Sequence, residues 1–155
     1  MSDSEKEMII SKLEKELEDV LNYLENSNSV DSIGTIKDGA KEELSNIIES
    51  ERLEILKEKA ILELTSIRNQ VKDQIAALSN LNLDEKNTYI AQLELEFITS
   101  KDSVNQANTM NDMIIEKDLG ISLMNNIASV ATEADSNKLQ SEKENQITEI
   151  ETIIN

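Results

Sequence analysis

Apolar residues recur at intervals of three and four along the chain, the spacing that places them on one face of an α-helix. The first half of the chain has three such rows, over residues 9–24, residues 30–47 and residues 53–78. Ser2 with Glu5 has the spacing of a capping box, and Ser29 and Ser50 stand where the next two helices should begin. The pattern therefore predicts three amphipathic helices joined by short loops.

The same succession of helices recurs 80 positions later. Residues 1–47 align with residues 81–127 without a gap, and 11 of the 47 aligned positions are identical. After a six-residue insertion, residues 50–69 align with residues 136–155. Asn82 and Glu85 also repeat the capping-box spacing at the start of the second copy. A repeat of this length indicates two copies of one helical module.

The two copies define the predicted domains and the predicted fold. The first module covers residues 1–80 and the second covers residues 81–155, with a polar loop over residues 128–135 and a truncated third helix capped by Ser136. Three amphipathic helices with short connections close as an antiparallel three-helix bundle. The junction between the modules has no proline and no glycine-rich tract, so we expect them to be coupled. The prediction is an all-α chain of two tandem antiparallel three-helix bundles, end to end as a rod.

Glycine and methionine carry local predictions within these helices. Three glycines fall inside predicted helices, at Gly34, Gly39 and Gly120. Since each costs about 1 kcal/mol of helix propensity relative to Ala, we interpret them as points of close helix approach rather than ligand sites. Three methionines of the second copy replace aliphatic residues of the first, at Met110, Met113 and Met124. We therefore predict that these methionines lie in the core.

Composition limits the classes of function that the chain can have. Its 155 residues include two Tyr, one Phe and no Trp, so the core must be aliphatic, as in narrow helical bundles. The formal net charge is −17 and is spread evenly, with −8 on residues 1–80 and −9 on residues 81–155. Such a chain is repelled by nucleic acid and by anionic membranes. We expect no nucleic-acid partner, and without an apolar run of about 20 residues we expect no membrane insertion.

Residue types that catalyse reactions or bind metals are scarce. The chain has no His and no Cys, which removes the most common general base, imidazole ligand and thiol nucleophile. The densest carboxylate group is Asp112, Glu116 and Asp118, whose spacing fits no calcium loop and is typical of a solvated helix face. We predict that the chain is not an enzyme, and that it has no catalytic, cofactor-binding or metal site and no cofactor.

Short motifs connect the chain to a known family. They are Asn82-Leu83-Asp84-Glu85-Lys86, Glu116-Lys117-Asp118-Leu119-Gly120-Ile121 with a looser copy at residues 36–40, and Lys57-Glu58-Lys59-Ala60-Ile61 followed by Leu64. In order, spacing and repeat length they resemble the helical repeats of giant wall-anchored surface proteins of staphylococci, the Ebh and SasC class. The resemblance implies tandem helical bundles in a stalk or adhesive region on the cell wall, with roles in attachment and biofilm formation. It implies no catalytic residues.

Our leading hypothesis is therefore a non-enzymatic tandem repeat of a bacterial cell-surface protein, serving as a stalk or spacer and in adhesion or biofilm formation. We expect an extracellular location, with cell-wall anchoring through other parts of the parent protein. The expected partners are neighbouring repeats of the same parent chain, and the expected state of the chain is a monomer. The first residues are acidic and polar, unlike a secretory signal. Because the start also coincides with the repeat boundary, with Met1 in the place of Leu81, we expect a fragment cut at a module edge to which an initiator Met was added.

Two alternative hypotheses stay open. The first is a dedicated three-helix module that binds a host protein, such as albumin, immunoglobulin or a matrix protein, through an exposed apolar patch. The candidates are apolar residues that lie off the predicted core rows and replace polar residues of the first copy: Leu95, Ile98 and Ile115. These three residues could instead form an inter-module surface. The second alternative is an acidic intracellular inhibitor or nucleic-acid mimic.

Overall fold

Four α-helices account for most of the residues that the structure describes. The computed structural model describes residues 3–27 and 29–154, so Ser2 of the first predicted capping box lies outside the described residues. The helices are α1 (Asp3–Glu25), α2 (Val30–Ala77), α3 (Leu83–Gln106) and α4 (Met110–Ile154). Strands are absent from the part of the chain that the structure describes. The prediction of an all-α chain is confirmed.

The prediction of three separate helices in each module is wrong, because α2 continues through Ser50. The predicted second and third helices of the first module are one helix of 48 residues. Residues 47–53 contain neither Gly nor Pro, and a serine within a helix costs only a few tenths of a kcal/mol. Half-buried residues also continue at helical spacing through this region, at Ile47, Glu51 and Ile55. Ser50 therefore does not begin a new helix, because the half-buried row continues without interruption on both sides of it.

The predicted polar loop over residues 128–135 is likewise wrong, because these residues belong to α4. Ala128 and Ala131 are buried, so this segment contributes to the core instead of leaving it. The hydroxyl of Ser136 donates a hydrogen bond of 3.0 Å to the Thr132 carbonyl oxygen. That bond to the preceding helical turn is one way a helix accommodates serine in its interior, and it replaces the predicted N-cap.

The chain divides into two compact units, residues 1–58 and residues 59–155. In the second unit, residues 59–77 of α2, α3 and residues 110–135 of α4 pack together, and we call this arrangement the bundle. Its largest fully buried side chains are Leu64, Val71, Ile75, Leu93, Val104 and Met124. They recur at helical spacing within each segment, as expected for three amphipathic helices that share one core.

The first unit consists of α1 and residues 30–58 of α2, which we call the hairpin. Ser29 begins α2 by accepting a hydrogen bond of 3.2 Å from the Ser32 backbone N–H, as predicted for an N-cap. The two helices face each other along rows of half-buried residues, and Lys12 of α1 forms an ion pair with Glu51 of α2. None of the described residues up to position 56 is buried. With only two helices, the half-buried residues between α1 and α2 stay partly exposed to water.

The repeat and the packed units divide the chain at different places. The boundary between the two sequence modules, at residues 80 and 81, lies in the loop between α2 and α3, where Leu81 is buried. The boundary between the compact units instead lies within α2, between residues 58 and 59. The arrangement of residues 1–80 and residues 81–155 as two tandem three-helix bundles stays a prediction.

Candidate functional surfaces

Leu95, Ile98 and Ile115, the residues singled out for a partner or inter-module surface, are exposed by 68%, 54% and 53%. Leu95 and Ile98 lie one turn apart on α3, whereas Ile115 lies on α4. Relative to the buried residues of their own helices, Leu95 and Ile115 are each on the far side of the helix at about 100° per residue. The structure therefore does not bring the three residues together into one patch. Their role in binding stays a prediction.

An ion-pair cluster joins α2 to α3 at the side of the bundle. Arg68 donates to both carboxylate oxygens of Glu94, with distances of 2.6 to 2.9 Å from its Nη2 and Nε atoms. The guanidinium also lies over the Phe97 ring, 5.6 Å from its centroid, and Lys72 Nζ is 3.4 Å from Glu94. The hydrogen bonds from Arg68 lower the pKa of Glu94. The cluster is satisfied internally, so we assign it to packing of α2 on α3.

Lys117 makes a similar link between α4 and α2. Its Nζ atom lies 3.0 Å from Glu63 on α2 and 3.1 Å from the adjacent Asp118. The hydrogen bond to Glu63, and to a smaller extent the one to Asp118, raises the pKa of Lys117 above its ordinary value of 10.5. One member of the predicted carboxylate group, Asp118, is thus neutralised by a lysine rather than free for a cation.

A second polar cluster, not foreseen from the sequence, closes the end of the bundle. The Asp135 carboxylate accepts hydrogen bonds from the backbone N–H groups of Asn80, at 2.6 Å, and Leu81, at 3.0 Å. The Asn80 side chain donates a third bond, of 2.8 Å, to the same carboxylate. Burial of Asp135 opposes ionisation, but the bonds from Asn80 and Leu81 outweigh it and lower the pKa of Asp135. These bonds fasten the α2–α3 loop to α4.

The predicted capping box at the start of α3 is confirmed and belongs to the same end of the bundle. Asn82 accepts from the Glu85 backbone N–H at 2.9 Å, and Glu85 accepts from the Asn82 backbone N–H at 2.6 Å. Glu85 also accepts a 2.6 Å hydrogen bond from Lys138 of α4. The bonds from Lys138 and from the Asn82 backbone lower the pKa of Glu85. A local helix cap is therefore extended into a contact between α3 and α4.

Gly120 and Ser100 form the closest approach between α3 and α4. A Cβ atom added to Gly120 would lie 2.5 Å from Ser100 Cβ, closer still to its Oγ, and 3.3 Å from Leu64 Cδ2. The predicted role of glycine in close helix approach is confirmed at this position. It is wrong at Gly34 and Gly39, where an added Cβ would have no neighbour within 4 Å.

The described part of the chain also has clefts, and carboxylates outside these clusters. A cleft of about 130 Å³ lies between α3 and α4, lined by Ser100, Gly120, Leu119 and Leu123 among others. Asp112 is bonded to Thr109, the residue before α4, because its backbone N–H donates to Thr109 Oγ1 at 3.1 Å and its carboxylate accepts from the same hydroxyl at 2.8 Å. Within residues 3–27 and 29–154, no three His, Cys, Asp or Glu side chains are grouped as metal ligands.

Two of the three methionines lie in the core as predicted. Met113 and Met124 are exposed by 4% and 0%, whereas Met110 is exposed by 40% at the first position of α4. The prediction is therefore wrong for Met110.

None of the helices in the described part of the chain has both the length and the hydropathy of a bilayer-spanning segment.

Part of the chain is similar to a known family of repeats. Residues 56–132 match the family model described as Domain of Unknown Function (DUF1542). This family is a repeat domain of staphylococcal surface proteins of the Ebh-like class, and it is not a known enzyme family. The match supports the resemblance noted in the sequence over this segment. No curated protein and no solved structure matches the chain.

Proposed function

We propose that the chain is a non-enzymatic tandem repeat of a bacterial cell-surface protein and that it acts as an extracellular stalk or spacer, contributing to adhesion or biofilm formation. The observation that carries the proposal is the match of residues 56–132 to a surface-protein repeat. That segment corresponds closely to the bundle, the part of the chain with a buried core. The proposed partners are neighbouring repeats of the same parent chain, which is anchored to the cell wall elsewhere.

The contacts of the bundle support a structural role. Its charged side chains are used to hold helices together, as with Arg68 and Glu94 between α2 and α3, or Lys138 and Glu85 between α4 and α3. The chain has no His and no Cys, so it lacks the residue types on which most acid–base, nucleophilic and transition-metal chemistry depends.

The continuity of α2 also fits a spacer. One helix belongs to both compact units, so no loop rich in glycine or proline connects them. A helical connection resists bending more than a flexible linker does. We propose that tandem copies of this unit, connected in the same way, extend the parent protein from the cell wall.

Small-angle X-ray scattering of the purified chain at low concentration tests the proposal. A compact globule of this length would have a radius of gyration of about 15 Å. We expect a clearly larger value, because α2 alone, with 48 residues at 1.5 Å per residue, is about 72 Å long. A radius close to that of a globule would overturn the stalk hypothesis. Labelling of intact cells with an antibody against the chain tests the location, and labelling only after lysis would contradict it.

A further inference from the structure

The last part of α4, residues 136–154, has one exposed apolar face, and we call this segment the tail. Every residue of the tail is exposed. Its apolar residues are Leu139, Ile147, Ile150, Ile153 and Ile154, which are exposed by 40%, 55%, 54%, 84% and 77%. At 100° per residue these five side chains fall within roughly a third of the helix circumference. Four isoleucines on one face of an exposed helix are typical of a surface that packs against another protein segment.

The sequence repeat provides a template for what covers the tail. Residues 136–155 align with residues 50–69, and Ile150 takes the place of Leu64. In the bundle, Leu64 is fully buried against α4, and the neighbouring Glu63 accepts a hydrogen bond from Lys117 of α4. Residues 59–68, which align with residues 145–154 of the tail, therefore pack on α3 and on the first part of α4.

The hairpin is the counterpart of those two helices. Residues 1–47 align with residues 81–127, so α1 corresponds to α3 and the start of α2 corresponds to the start of α4. Three hairpin residues are more exposed than their counterparts in the bundle. Ile10, Leu17 and Ile33 are exposed by 51%, 53% and 46%, whereas Ile90 and Phe97 are half-buried and Met113 is exposed by only 4%.

We infer that the tail of one copy of this chain docks on the hairpin of a second copy and completes a three-helix bundle like the one formed by residues 59–135. Ile150 then lies in the place of Leu64, against the row that contains Ala40. Glu149 aligns with Glu63 and Lys37 aligns with Lys117, so the ion pair between α2 and α4 has a counterpart between the two copies. The inference goes beyond the proposed function, because a spacer does not require separate copies to associate.

The contact joins two different surfaces, so it does not close on itself. Each assembly still presents one free tail and one free hairpin, and association continues into longer assemblies as the concentration rises. Both surfaces are acidic, with a net charge of −9 on residues 3–58 and −2 on residues 136–154. Salt screens this repulsion, so association strengthens with added salt. The monomer expected from the sequence then describes the dilute chain at low salt.

Sedimentation equilibrium of the full chain tests the inference. The average mass should rise above 17.4 kDa with concentration, and more steeply at high salt. Ile150→Asp should weaken association about a hundredfold or more, because it places a charge in the apolar contact. Thr148→Asp is the matched control, since Thr148 aligns with Leu62, which is 69% exposed in the bundle. A mass of 17.4 kDa under all conditions, or equal effects of the two substitutions, would overturn the inference.

Disulfide cross-linking tests the register of the contact. The chain has no native cysteine, so a Lys37→Cys variant mixed with a Glu149→Cys variant reports only on contact between copies. We expect a mixed disulfide between these two variants and little between Lys37→Cys and Thr148→Cys. Equal yields from both mixtures would show that the tail does not dock through the aligned face. Scattering from the Ile150→Asp variant tests the spacer function separately, because that variant should be elongated even though it does not associate.

Discussion

Individual residues show which contacts the sequence can reveal. Ser100 interrupts the apolar row of α3 in the sequence, yet it is only 4% exposed and donates a 2.9 Å hydrogen bond to Glu96. It is buried because Gly120 on the facing helix leaves space for it. In the first copy the aligned residues are Val20 and Ala40, so a larger pair is replaced by a smaller one. The helical pattern identifies which face of the helix a residue lies on. The contact between Ser100 and Gly120 becomes clear only when the facing helix is known.

Substitution of glycine by alanine should have opposite effects at Gly120 and at Gly39. Gly120→Ala introduces a methyl group against Ser100 and Leu64, and we expect it to destabilise the chain by about 1–3 kcal/mol. Gly39→Ala meets no atom within 4 Å, so the gain in helix propensity should stabilise the chain by about 1 kcal/mol. Urea denaturation measures both free energies of unfolding. Ser100→Gly should partly restore the Gly120→Ala variant, and equal stabilisation by both alanines would contradict the close approach.

At the scale of whole elements, the sequence identifies helices better than it identifies their ends. The capping box of Asn82 and Glu85 was predicted correctly, because it precedes a helix that begins after a loop. Ser50 and Ser136, which were also predicted as N-caps, lie inside α2 and α4, and each is followed three residues later by Leu instead of Glu. Serine is compatible with both positions, since its hydroxyl can cap a helix or bond to the preceding turn. The choice depends on whether the apolar face continues beyond it, which it does in both helices.

The loop between α2 and α3 depends on a residue that is distant in sequence, Asp135. Because the pKa of Asp135 is lowered in the folded chain, its contribution to stability is present above its ordinary pKa of 3.8 and is lost as the pH falls through the lowered value. We expect Asp135→Asn to lower the melting temperature at neutral pH, because the amide accepts fewer of the three hydrogen bonds. The difference from the unmodified chain should shrink as the pH falls below about 4.

The control for that experiment is Asp73→Asn, which removes the same charge from an exposed position on α2. In a chain with a net charge of −17, loss of one negative charge should leave the melting temperature unchanged or raise it slightly. Circular dichroism at several pH values compares the variants. If Asp73→Asn and Asp135→Asn behave alike, the bonds to Asn80 and Leu81 do not stabilise the loop.

For the whole molecule, the sequence shows the repeat but does not show which helices of the repeat pack together. The repeat aligns α1 with α3, which is correct as a statement about equivalent helices. A packed unit, however, consists of the three segments that bury one another, and residues 59–77 pack with the helices that follow them. Residue patterns alone do not distinguish whether a third helix covers the pair before it or the pair after it. For the same reason, the sequence alone did not predict that the hairpin and the tail each have an exposed apolar face.

The uneven burial predicts uneven stability along the chain. Backbone amides of residues 59–131 surround the fully buried side chains, so they should exchange with solvent much more slowly than those of residues 3–56 and 139–154. Hydrogen exchange measured by mass spectrometry in dilute, low-salt solution tests this difference. Leu93→Ala, which truncates a side chain with 0% exposure, should cost about 2–5 kcal/mol and reduce protection in the bundle. Leu95→Ala, at a neighbouring exposed position, should change it little. Equal protection over the whole chain would contradict the division into a well-packed bundle and a partly exposed hairpin. At high concentration, protection of the hairpin and the tail should rise, because copies then associate.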